Sequence, residues 1–105
     1  MIIMDILRDQ GLNAAYGKFE DPQTPPYAIY IGAGQNHFEA DDTYYTTDNE
    51  YQVEYYFSRK NSEKEAALET AFLDNGFKYE KSEDVYISSE KIYLIYYTLT
   101  TKRRN

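Results

Sequence analysis

Cysteine is absent from this chain of 105 residues. That excludes disulfides and thiolate metal sites, and it fits a reducing interior or a virus assembled there. Tryptophan is absent too, and no apolar run approaches the roughly 20 residues needed to cross a bilayer. The opening Met1-Ile2-Ile3-Met4-Asp5-Ile6-Leu7-Arg8 has no basic leader and no cleavage site, so no signal peptide is expected. Basic charge is also short: 11 Lys and Arg stand against 18 Asp and Glu, a formal net charge of −7. General affinity for nucleic acid depends on neutralising phosphates, so none is expected here. The expectation is one soluble intracellular domain spanning residues 1–105, with no membrane partner.

Catalytic constellations are missing as well. His37 is the only histidine, and a nucleophilic site needs it beside a rigidly held serine or cysteine. No serine lies in a Gly-x-Ser-x-Gly elbow. One histidine with carboxylates is an uncommon zinc set, and Asp41, Asp42 and Asp48 lack EF-hand spacing. Glu50 and Glu54 read as the wet side of a strand rather than as a glycosidase pair. Gly32-Ala33-Gly34 follows a predicted strand, but the dinucleotide fingerprint needs a third glycine where His37 stands. These read as turn glycines. No enzymatic activity, metal or cofactor is expected.

What the chain has in quantity is tyrosine, 13 residues, with 5 phenylalanines. Tyrosine joins an apolar body to a polar tip, which suits half-buried strands and protein contacts. In Asn49 to Phe57, the side chains of Tyr51, Val53, Tyr55 and Phe57 alternate with Glu50, Gln52 and Glu54, the signature of a strand with one buried face. A second helix follows. Ser62 with Glu65 three residues on reads as its capping box, Ala67, Leu68, Ala71 and Phe72 as its apolar face, and Asn75-Gly76 as its stop. A first helix is predicted at Met1 to Gln10, ending at Gly11, and residues 13 to 26 read as an irregular connection.

Further strands are predicted at Tyr27 to Ile31, Thr43 to Tyr45, Phe77 to Glu80, Val85 to Ile87 and Ile92 to Leu99. Asp41-Asp42 and Thr46-Thr47-Asp48-Asn49 read as turns, so the span 33–48 is expected to form an arm or long hairpin standing off the sheet. The fold class is therefore α+β: a mainly antiparallel sheet of about four to five strands with two helices on one face. In Ile92 to Leu99 both faces are apolar, Ile92, Leu94 and Tyr96 on one and Tyr93, Ile95, Tyr97 and Leu99 on the other. Two short helices cover about one face, so a fold-back or another copy of the protein must cover the second.

Ala15-Tyr16-Gly17-Lys18-Phe19, Pro25-Pro26-Tyr27-Ala28-Ile29-Tyr30, the arm from Gly32 to Phe38, and Tyr51-Gln52-Val53-Glu54-Tyr55-Tyr56 form a loose pattern with Lys81 to Ile87 and Tyr93 to Tyr97. This pattern resembles small tail-completion, or tail-terminator, proteins from phages and prophages of Gram-positive bacteria. The resemblance implies a structural subunit, assembled in the bacterial cytoplasm and carried in the virion. Copies close into a ring, commonly six-membered, that caps the tail tube and joins it to the head. Its partners would be itself and the tail-tube and head-completion proteins, with no catalytic residue inherited. Phe38, Tyr44, Tyr45, Tyr93, Ile95 and Tyr97 are the candidate self-assembly residues. Two other readings belong to different classes. One is an acidic DNA mimic presenting Glu80, Glu83, Asp84 and Glu90 to a basic target; the other is an adaptor that takes a peptide along its sheet edge.

Overall fold

The computed structural model describes residues 2–40 and 44–101, with the side chains of 2 and 33–49 outside what it describes. The elements run in the order α1 (Ile2–Asp9), β1 (Asn13–Tyr16), β2 (Tyr27–Ala40), β3 (Tyr44–Phe57), α2 (Ser62–Asp74), β4 (Phe77–Lys81), β5 (Val85–Ile87) and β6 (Ile92–Thr101). The fold is α+β, a six-stranded, mostly antiparallel sheet with two helices. Strand order is β1-β2-β3-β6-β4, with β5 also pairing β6. Among the described strands β1 is the one parallel neighbour, Asn13 opposite Tyr27 through Tyr16 opposite Tyr30.

β3 and β6 form the centre. Val53 faces Tyr97 and Tyr55 faces Ile95 across the ladder, so their side chains build one continuous apolar surface. Ile3 and Leu7 of α1 and Leu68 and Phe72 of α2 complete the core with Val53, Ile95, Tyr97 and Leu99, all fully buried. The first helix stops as its sequence dictates. Gly11 takes φ +79°, donating to Arg8 O at 2.9 Å, and Leu12 folds back to donate to Leu7 O at 3.2 Å.

Four expectations change. The stretch 13–26 is not wholly irregular: Asn13-Ala14-Ala15-Tyr16 is a strand, supported by the parallel ladder to β2 rather than by a pattern of its own. Gly32 and Gly34 do not make a turn. They flank a bulge, Gly32 opposite Tyr51 and Gly34 opposite Glu50, that leaves Ala33 as the extra residue while β2 continues to Ala40. Thr46-Thr47-Asp48-Asn49 is not a turn either, because cross-strand pairing with His37 and its neighbours holds it in β3. The predicted Asp41-Asp42 turn and Thr43 lie outside the described residues.

The fourth change is the cap of α2. Asn61, one residue earlier than expected, is the N-cap, and its side chain accepts from Lys64 N at 3.0 Å. Ser62 is already helical. Glu65 therefore sits one position past the capping-box site, and it turns inward instead. Its burial shifts the helix's inner stripe to Glu65, Leu68, Glu69 and Phe72, leaving Ala67 exposed.

Candidate interaction surfaces and a buried ionic cluster

The inner face of α2 carries two carboxylates, Glu65, which the sequence offers as a capping-box residue, and Glu69, which it does not single out. Glu65 is 3% exposed. Lys60, from the segment between β3 and α2, places Nζ 3.0 Å from Glu65 Oε1 and 2.9 Å from Oε2. The second of these is an ion pair without good hydrogen-bond geometry, so Oε2 has no hydrogen-bond partner among the described residues. Lys81, at the end of β4, bridges Glu65 Oε1 at 3.0 Å and Glu69 Oε2 at 2.8 Å. Tyr97 OH donates to Glu69 Oε2 at 2.7 Å, and Tyr79 OH donates to Oε1 at 3.3 Å.

Glu69, the two lysines and Tyr97 are shifted by their surroundings. Burial pushes the Glu69 carboxyl up, but bonds from Lys81 and Tyr97 outweigh it, and the net shift is below the ordinary value of 4.5. Hydrogen bonds to carboxylates, Glu65 for Lys60 and Glu69 for Lys81, hold both ammonium groups above 10.5. Burial, reinforced by Glu69, drives the Tyr97 phenol well above its usual range. All of this favours a charged, fixed cluster joining α2 to β4 and β6. Its chemistry is that of a clamp.

Of the predicted assembly residues, Ile95 and Tyr97 are wholly buried in the chain's own core and offer no surface. The helices cover that side of β6, which is why the row did not stay open. Tyr93 lies at the end of the row, 37% exposed. It stacks on Phe57 at 5.5 Å and meets Tyr86 at 5.0 Å, and Tyr86 is 54% exposed. Phe57 stacks in turn on Tyr55 at 5.3 Å. A column of four rings thus runs from core to surface. Phe38, Tyr44 and Tyr45 stand near the end of the β2–β3 hairpin, opposite Thr46, Ala40 and Glu39 in register; their side chains lie outside the described residues.

The second face of the sheet is partly covered from within. Phe19, in the connection after β1, packs edge-on against Tyr27 at 5.6 Å, and Tyr27 stacks on Tyr56 at 4.7 Å. Tyr56 OH donates to Glu54 at 2.7 Å. Tyr27, Ile29, Tyr56 and Tyr96 are half-buried rather than bare, so a folded-back loop supplies part of the cover that β6 demanded. The acids considered for DNA mimicry, Glu80, Glu83, Asp84 and Glu90, are all exposed, and Asp84 is tied to Lys60 at 3.1 Å.

A cavity of about 280 Å³ opens where β3 gives way to α2. Pro26, Tyr55 and Phe57 supply apolar walls, and Arg59, Lys60 and Lys64 supply the charge. Lys60 is matched by Glu65 and Asp84, whereas Lys64 Nζ donates to the neutral carbonyl of Gln10. Arg59 has no carboxylate partner among the described residues. Compared with known protein families and with curated proteins, the chain matches none.

Proposed function

We propose that this chain is a structural, non-catalytic subunit of a phage tail. Copies of it close into a ring that completes the tail tube and joins it to the head. The observation that supports the reading is the β2–β3 hairpin. Residues 34–40 and 44–49 pair with each other beyond the part of β3 that pairs with β6, and beyond the part of β2 that pairs with β1. A two-stranded ribbon is marginal in water by itself. A neighbouring subunit supplies the missing contacts, and a ring needs such a heterologous contact to close. The exposed end of the ring column, Tyr86 and Tyr93, gives a second patch. A net charge of −7 also suits a channel that DNA crosses without sticking.

The test is a virus or prophage deleted for this chain. The expected result is tails of irregular length that fail to join heads, restored by supplying the chain in trans. Normal joined particles from the deletion would refute the function.

A further inference from the structure

We propose that the cavity at the start of α2 receives the tip of the β2–β3 hairpin, residues 38–45, from a second copy of this chain. The proposal rests on the self-association reading above and names the two surfaces that meet. The cavity is a basic spot on an acidic protein. Among the described residues no acidic side chain lines it, and the positive charges of Arg59 and Lys64 are not neutralised by carboxylates. The amino end of α2, which opens here at Asn61, adds partial positive charge.

The hairpin tip has the opposite character. Phe38-Glu39-Ala40-Asp41-Asp42-Thr43-Tyr44-Tyr45 contains three acids, three aromatics and no base. Glu39 to Asp42 is the one place in the sequence where three of four consecutive residues are acidic. Acid flanked by aromatics matches a cavity with cations beside Tyr55, Phe57 and Pro26.

The same chain cannot make this contact with itself. β3 is extended and paired from Tyr44 to Phe57, and about 3.3 Å per residue over that span separates Tyr44 from the cavity by about 43 Å. The longest dimension of the molecule is 51 Å. Tyr44 and the cavity therefore lie at opposite ends of β3, and only another copy brings the segment next to Tyr44 to the cavity.

The absence of native cysteine makes the test direct. Two single variants, Asp42→Cys at the tip and Ser58→Cys in the cavity wall, are purified, mixed at high concentration and oxidised. The mixed dimer is expected to exceed both homodimers and the product of a control mixture of Asp42→Cys with Ser89→Cys, an exposed turn residue. The excess should shrink as salt is raised, and also when Arg59→Glu is added to the cavity variant. A mixed dimer no more abundant than the control product would overturn the contact. Sedimentation separates this failure from failure of the reading beneath it. An Arg59→Glu, Lys64→Glu double variant that associates as well as wild type overturns the contact alone. A wild-type chain that gains no mass, in solution or on tail ends, overturns self-association as well.

Discussion

Lys81 Nζ lies 3.0 Å from Glu65 Oε1, tying the last residue of β4 to the first turn of α2. The two ends of this contact are not equivalent. Glu65 is 3% exposed, whereas the side chains of Lys60 and Lys81 are 47% and 33% exposed. A lysine that loses its partner swings its ammonium into water along a flexible stem. The carboxylate has no such escape.

Removing the two lysines should therefore cost more than removing the acid. Lys60→Ala with Lys81→Ala leaves Glu65 buried and uncompensated, and a loss of about 3–5 kcal/mol is expected. Glu65→Leu, which fills similar space beside Leu68, should change stability little, since replacing a buried ion by an apolar side chain is often neutral. Urea denaturation of the two variants checks the order. A Glu65→Leu loss as large as that of the double lysine variant would contradict it.

The same cluster sets the pH range of stability. Glu69 is held below its ordinary value of 4.5, so its contribution is present above that value and fades as pH falls through the lowered one. Lys60 and Lys81 are held above 10.5, so theirs is complete below that value and is lost as pH rises through the raised ones. Melting temperature should hold a plateau between about pH 5 and pH 10 and fall on both sides. Glu69→Gln should soften the acid limb specifically.

The boundaries of α2 give a third test. Asn61→Ala removes the acceptor for Lys64 N and should cost about 0.5–2 kcal/mol, while Ser62→Ala, already inside the helix, should be near neutral. Gly76 has φ +90° with open space where a Cβ would stand, so Gly76→Ala should destabilise by about 1 kcal/mol through backbone strain alone. Chemical denaturation midpoints of the three variants rank them.

What the sequence made legible, and what it hid, follows from where each signal resides. The alternation of Tyr51, Val53, Tyr55 and Phe57 is local, and it placed both the strand and its buried face. The ends of α1 and α2 were readable because a glycine with positive φ is a local requirement. β1 was not readable: Asn13 to Tyr16 has no strong strand pattern, and its pairing depends on β2 more than ten residues away. Thr46 to Asn49 looks like a turn by composition, yet pairing across the hairpin keeps it extended. The ionic cluster was missed for a different reason. Glu65 and Glu69 have i, i+4 spacing and share a side with Leu68 and Phe72, a visible signal. An acid on an apolar stripe was nevertheless assigned to capping, because the lysines that permit its burial lie five and sixteen residues from Glu65.

The last prediction concerns the hairpin itself. Phe38 and Tyr45 stand on neighbouring rungs near its end, Phe38 opposite Thr46 and Tyr45 opposite Glu39. The folding core lies elsewhere, in Val53, Ile95, Tyr97, Leu99 and the two helices, so replacing both aromatics by serine should leave the domain folded. Circular dichroism and the denaturation midpoint should match wild type within about 0.5 kcal/mol, the usual range for substitutions away from a core. Assembly should respond differently. If subunits meet through the hairpin, aromatics at that contact carry a large share of the association energy, as buried aromatic anchors generally do. The Phe38→Ser, Tyr45→Ser variant supplied to a deletion virus should then give mostly unjoined tails of irregular length by electron microscopy, whereas Lys78→Ser, an exposed change on β4, should restore joined particles. A folded double variant that completes particles as well as wild type would remove the hairpin from the assembly contact and leave the exposed Tyr86 and Tyr93 to carry it.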